Sequence, residues 1–309
     1  MFDLIVIGGG MAGMTSAIYA LREKKTVLVI ERESIGGQIT QSPKVQNYPT
    51  YTEISGSELA DKAFEQMIAL GGEFEVENVE KIEKENDIFT IKTDYNTYHA
   101  KAVVVATGLK HRMLGLDEEE KYIGRGIYYC AICDGPFFAG QEVAVIGGGN
   151  SALQYAIMLS SYCSKVHMFV WENDFTGEKA LVDKVRATQN IEATFGVKST
   201  KLNGTEKLES VEFEKIADGS KFLYNANAVF VAVGQEPKND IFAKLADLDK
   251  YGYIVTDEKC QTTCEGMFAA GDCRQKTVRQ VATAVGDGAI AGTFACRYID
   301  MNMGKLWKS

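Results

Sequence analysis

Apolar residues along this chain come in two rhythms. Short runs predict strands: Leu4-Ile5-Val6-Ile7, Val27-Leu28-Val29-Ile30, Val103-Val104-Val105, Val143-Ala144-Val145-Ile146, Lys165 to Val170, and Val229-Phe230-Val231. Longer apolar-rich stretches predict helices from Met14 to about Arg22 and from Ala152 to about Ser161. The order repeats. A strand at 2–7 enters Gly8-Gly9-Gly10-Met11-Ala12-Gly13, a helix follows, and a strand from Thr26 ends at Glu31. A strand at 143–146 enters Gly147-Gly148-Gly149-Asn150-Ser151-Ala152, again followed by a helix and a strand. Each half closes on an apolar strand that ends in glycine, Val103 to Gly108 and Val229 to Gly234.

This repetition predicts an α/β fold of two nested Rossmann-like three-layer domains. The first domain takes residues 1–111, the second is inserted as 112–239, and 240–309 return to complete the first. In the first domain the G-x-G-x-x-G spacing of Gly8, Gly10 and Gly13 sits between strand and helix. Glycines there permit a tight turn, close approach to a pyrophosphate and helix–strand packing. Glu31, 18 residues past Gly13, is placed to accept hydrogen bonds from an adenosine ribose. Near the chain's end an apolar strand stops at Gly271-Asp272, where a carboxylate can meet a ribityl hydroxyl. A helix starting after Arg279-Gln280-Val281 would aim its amide groups at a flavin ring.

Composition narrows the classes. At 309 residues, with 46% hydrophobic and 24% charged residues, the chain suits two ordinary domains, each with its own core. A net charge of −9 and a pI near 5.1 leave no basic stripe for nucleic acid. No apolar run is long enough to span a bilayer, and a strand beginning at Phe2 leaves no room for a signal peptide. Seven irregularly spaced cysteines do not form a secreted disulfide framework, so a reducing cytoplasm is the expected location.

The chemistry concentrates in Cys130-Ala131-Ile132-Cys133-Asp134, just before the second strand–glycine–helix pattern. In a C-x-x-C pair one sulfur attacks and the other resolves, so two electrons can be stored as a dithiol. Asp134 is placed to protonate a leaving thiolate. Zinc knuckles share this spacing, but a position between two nucleotide folds favours redox use, and no metal is expected. Cys260 and Cys264, in a loop after a strand-like Tyr253-Ile254-Val255, lack two further ligands nearby. Cys163, Cys273 and Cys296 are expected as small buried hydrophobes, and His99 and His167 as structural residues. The acidic run Asp117-Glu118-Glu119-Glu120 reads as a solvated face.

Gly36-Gly37-Gln38, Asn47-Tyr48-Pro49, Ala106-Thr107-Gly108, the C-x-x-C-D motif, Gly271-Asp272 and Arg279-Gln280 occur in the order found in the low-molecular-weight thioredoxin reductases. The chain resembles that family over essentially its whole length. The resemblance implies FAD on the first domain, held by Gly8, Gly10, Gly13, Glu31, Gln38, Asn47, Thr107, Gly108, Asp272, Arg279, Gln280 and Val281. It implies a pyridine nucleotide on the second domain and a dithiol of Cys130 and Cys133 with Asp134 as proton donor. The acceptor it implies is thioredoxin or a similar small dithiol protein, and the usual state is a homodimer. By the same resemblance Cys133 meets the flavin and Cys130 attacks the partner.

One stretch departs from the family. Where it carries arginines that grip the 2′-phosphate of NADPH, this chain reads Val170-Trp171-Glu172, with Thr176 and Gly177 at the later position. No Lys or Arg lies between Lys165 and Lys179. Charge-assisted bonds to phosphate contribute about 1.5–3 kcal/mol each. The expectation drawn from this loss is electron delivery by a reduced ferredoxin or flavodoxin directly to the flavin, as in the branch of the family that lacks these arginines. Two alternatives use nucleotides: NADH with Glu172 on its ribose, or NADPH held by another surface. A flavin-binding sensor with an inert dithiol is the alternative outside catalysis.

Overall fold

The computed structural model describes residues 1–306 apart from Pro43 and Ala226. The chain divides into two compact units, Met1–Lys110 with Glu236–Ser309, and His111–Gln235.

The first unit opens with β1 (Phe2–Ile7), α1 (Met11–Arg22) and β2 (Val27–Glu31), then α2 (Gly56–Ala69). Strands β3 (Glu73–Val76), β4 (Val79–Glu85), β5 (Ile88–Thr93) and β6 (Thr97–Val105) follow. The sheet runs β3-β2-β1-β6-β5-β4, and the strand Met267–Ala269 also pairs with β6. β6 is long because it serves two partners along one edge. Thr97–Ala100 pairs antiparallel with β5, and Val103–Val105 pairs parallel with Met267–Ala269. β1, β2 and the second half of β6 are apolar at successive positions because both sheet faces are covered. Leu4, Val6 and Val29 pack with α1, α2 and the C-terminal helix Val281–Leu306 on one face. Ile5, Ile7 and Leu28 pack with Phe242 and Ile254 on the other.

Two details differ from the sequence expectation. Helix α1 begins at Met11 rather than Met14, inside the glycine motif. Gly13 allows this: a Cβ there would stand 1.9 Å from the Gly8 carbonyl oxygen, so only glycine lets the first turn sit on the loop. Tyr253-Ile254-Val255 is not a strand. Ile254 makes only isolated bridges to Leu248 and Arg274.

The second unit has a five-stranded parallel sheet in the order Ile191–Phe195, Lys165–Val170, Glu142–Ile146, Val229–Val231, Ile127–Tyr128. The helix Asn150–Ser160 follows the glycine loop, and Lys179–Ala187 packs beside it. An antiparallel trio, Val197–Gly204, Leu208–Lys215 and Lys221–Asn225, covers the other face, where Phe169 stacks on Phe213 with centroids 3.9 Å apart. Both units are Rossmann-like α/β folds. No described helix is long and apolar enough to cross a membrane.

Candidate active site

In the first unit the glycine loop lies on the ends of β1 and β6. Gly8 has φ +112°, and a Cβ on it would come 2.3 Å from the Ala106 carbonyl oxygen. Gly10, by contrast, faces open space, its nearest neighbour being the Gly36 carbonyl at 3.8 Å. Glu31 curls back on the loop. Its Oε2 accepts the Gly9 N–H at 2.7 Å and its Oε1 the Glu33 N–H at 3.1 Å, which fixes the carboxylate and leaves lone pairs for a diol.

Residues far apart in the chain meet beside this loop. The Gln38 side chain donates to the Leu109 carbonyl. Asn47 donates to the Gln280 side-chain oxygen at 3.1 Å. Gly108 has φ +67° and open space where a Cβ would be. Thr107 bonds Asn239, a fully buried residue that also holds the Gly252 and Cys273 carbonyls at 2.9 Å each. Sequence reasoning missed Asn239. An Asn between Lys238 and Asp240, in a polar stretch, carries no signal of its own.

Asp272 and Arg279 are the informative members. The Asp272 Oδ1 and the Arg279 Nε are buried and have no hydrogen-bond partner among the described residues. Burial holds the Asp272 carboxyl above the usual range. The Arg279 guanidinium lies over the Tyr253 ring at 4.2 Å. Buried polar atoms without partners are costly, so both call for a hydrogen-bonding ligand. Val281 starts the C-terminal helix next to them. Open glycines, a fixed acid and two orphaned polar groups fit a flavin dinucleotide.

Asp287, on that helix, ties the region together. Its carboxylate accepts the Gly271 N–H at 3.1 Å and pairs with Arg274 at 3.1 Å and Lys276 at 2.8 Å, all three side chains being largely buried.

In the second unit Cys130 and Cys133 form a disulfide at the short helical turn Ala131–Asp134. The Cys133 N–H donates to the Cys130 Sγ at 3.2 Å. Asp134 is 6% exposed, its Oδ1 has no hydrogen-bond partner among the described residues, and burial pushes its pKa up to about 7. Ile132, between the two cysteines in sequence, is 49% exposed. The strand before the turn is anchored at Tyr129. Its carbonyl accepts the Tyr155 hydroxyl at 3.0 Å, and its own hydroxyl donates to Glu119 at 2.6 Å.

Glu119 corrects the reading of the acidic run as a solvated face. It is 2% exposed, because its carboxylate also accepts the backbone N–H groups of Leu114 and Gly115 at 2.9 Å each. His111 stacks on Tyr129, and burial pushes its pKa down to about 4, so it is neutral.

The second glycine loop keeps the close-approach geometry. Gly147 has φ +138°, and a Cβ there would lie 2.4 Å from the Ala232 carbonyl oxygen. Gly149 is open, with only the Thr176 hydroxyl 3.9 Å away.

Residues 2–288 match the family described as Pyridine nucleotide-disulphide oxidoreductase. The chain is 39% identical over 298 residues to a 34.2 kDa protein in the rubredoxin operon of Clostridium pasteurianum, covering 96% of this chain and 97% of that one. It is 36% identical over 301 residues to a thioredoxin reductase of Listeria innocua, covering 97% and 94%. The solved thioredoxin reductase of Streptococcus pyogenes superposes with a TM-score of 0.93 at 38% identity, over 97% of this chain and 99% of that one.

These matches overturn the expectation of ferredoxin or flavodoxin as electron donor. The family is one of pyridine-nucleotide enzymes, and its match spans the second glycine loop. That loop also keeps the shape a nucleotide pyrophosphate needs. The missing arginines bear only on the 2′-phosphate, not on the nucleotide as a whole. The protein is an oxidoreductase of the thioredoxin-disulfide reductase type with FAD as its cofactor, and the chain belongs to the low-molecular-weight thioredoxin reductase family of pyridine nucleotide-disulphide oxidoreductases.

Proposed function

We propose that the protein carries electrons from NAD(P)H through FAD to the Cys130–Cys133 disulfide, and from the resulting dithiol to the disulfide of a thioredoxin-like protein. The observation that carries this reading is the disulfide itself, next to a buried carboxyl whose pKa lies at about 7. Bound FAD supplies the two-electron relay between nucleotide and disulfide.

The chain's own residues do the rest. Gly8, Gly10 and Gly13 admit the pyrophosphate, and Glu31 takes the adenosine ribose. Asp272 and Arg279 satisfy their orphaned atoms on the cofactor. Gln38, Asn47, Thr107, Gly108, Gln280 and Val281 line the flavin end. Reduction of the disulfide takes up two electrons and two protons, and Asp134 delivers a proton to the departing sulfur. The Cys130 thiolate attacks the partner's disulfide. Cys133 then attacks Cys130 in that mixed disulfide, which releases the partner as a dithiol and restores the protein disulfide. The protein works as a homodimer in the cytoplasm.

The test is a trap. Reduced Cys133→Ser protein, mixed with oxidised thioredoxin, should accumulate a covalent complex that dithiothreitol releases. Cys130→Ser should accumulate none. Full disulfide reductase activity in both variants would exclude the mechanism.

A further inference from the structure

We propose that the nucleotide site of the second unit selects NADH over NADPH, with Glu172 as the residue that accepts the ribose diol and repels a 2′-phosphate. This inference rests on the pyridine-nucleotide reading above.

The two glycine loops supply the comparison. In the first unit the Gly8 N–H bonds the Ile30 carbonyl at 2.8 Å, and the next residue, Glu31, reaches back to Gly9. In the second the Gly147 N–H bonds the Phe169 carbonyl at 3.0 Å, so Val170 holds the register of Glu31. Val170 fills the space against Gly148, its Cγ1 being 2.6 Å from where a Cβ on Gly148 would be. The carboxylate arrives two residues later. Glu172 folds back so that its Oε2 stands 3.7 Å from that same Cβ position. The second loop thus also has a carboxylate beside its middle glycine, supplied two residues later than in the first loop, where Glu31 accepts the Gly9 N–H.

The segment that brings Glu172 there is laced down. The Gly196 N–H bonds the Glu172 carbonyl and the Thr176 N–H bonds the Gly148 carbonyl, both at 2.9 Å. Asn150, which starts the helix after the glycines, exchanges hydrogen bonds with Glu178 at 2.7 and 3.1 Å.

Charge decides between the two nucleotides. Residues 171–178 contain Glu172, Asp174 and Glu178 and no Lys or Arg. Arg186, which reaches this segment from the following helix, is paired with Asp174 at 2.6 Å. A 2′-phosphate dianion would therefore meet a carboxylate with no counter-charge from this segment. A ribose with two free hydroxyls would instead donate to that carboxylate, the arrangement by which nucleotide folds distinguish NAD from NADP.

The test follows anaerobic bleaching of the flavin in the FAD-loaded protein, and titrates NAD⁺ and NADP⁺ by calorimetry as unreactive probes. NADH should show a kcat/KM at least about tenfold above NADPH, and NAD⁺ should bind tighter than NADP⁺ by about the same factor. Glu172→Arg should reverse both orders, and Glu172→Gln should narrow them. The FAD content and melting temperature of each variant report whether it has folded. Equal efficiency, preference for NADPH, or an NAD⁺ affinity in Glu172→Arg within about twofold of wild type would overturn this inference and leave the pyridine-nucleotide reading intact. Reduction by neither nucleotide would overturn both.

Discussion

Asp134 shows how a single carboxyl acquires a role from its surroundings. It follows the second cysteine, it is buried, and one of its oxygens has no hydrogen-bond partner among the described residues. Burial penalises the charged form and carries the pKa from an ordinary 3.8 to about 7. The folded protein therefore holds this proton more tightly than the unfolded chain does. The stability it contributes is fully present below about pH 4 and is lost as pH rises through about 7, a change on the order of 4 kcal/mol. Activity should fall along the same limb, since only the protonated acid can serve a leaving thiolate. Asp134→Asn should lower turnover by about 10²-fold, abolish the limb, and melt higher than wild type at pH 8 but not at pH 4. A falling limb unchanged in the Asn variant would remove Asp134 from proton transfer. The motif C-x-x-C-D made this residue legible in the sequence. Glu119 was not legible, because a run of four acids gives no sign of which one turns inward to collect the amides of Leu114 and Gly115.

Elements were legible where burial leaves a pattern. β1, β2 and the end of β6 are covered on both faces and read as unbroken apolar runs. The start of α1 was misplaced because Gly13 looks like loop and is helix, a consequence of packing against Gly8 that no local propensity carries. The joint between the strand Met267–Ala269 and the C-terminal helix was likewise only half visible. Gly271-Asp272 is a recognisable strand end, but the clasp that fixes it is Asp287, sixteen residues beyond Gly271. Asp287→Leu should leave Arg274 and Lys276 buried without their carboxylate and free the Gly271 amide. That should cost about 3–5 kcal/mol in chemical denaturation. FAD should also dissociate more readily, because the turn carrying Asp272 loses its tether. Asp287→Asn, which keeps an acceptor for the amide, should fall between the two. Equal stability and equal FAD retention in the Leu variant would show that the clasp does not support the site.

On the scale of the molecule, the repeated strand–glycine–helix pattern announced two nucleotide folds in one chain, since each fold needs its own loop against its own sheet. The glycine loop and Glu172 are both visible in the sequence, and the absence of arginines bears on the 2′-phosphate rather than on the nucleotide; the structure adds that the segment after Val170 folds back to bring Glu172 beside Gly148. The second unit, His111–Gln235, is continuous in sequence and has apolar clusters on both faces of its parallel sheet. At about 125 residues it falls within the size at which single domains bury enough surface to fold alone. It also contains the disulfide, Asp134, Glu119 with Tyr129, and the whole segment that presents Glu172. Expressed by itself, the segment 111–235 should give one cooperative thermal transition by circular dichroism and a single disulfide at Cys130–Cys133. It should bind NAD⁺ in preference to NADP⁺ in the order expected for the full chain, with no yellow colour. A featureless melt would show that the first unit is needed to hold the second together. A folded fragment with no nucleotide affinity would show that residues outside 111–235 complete the site.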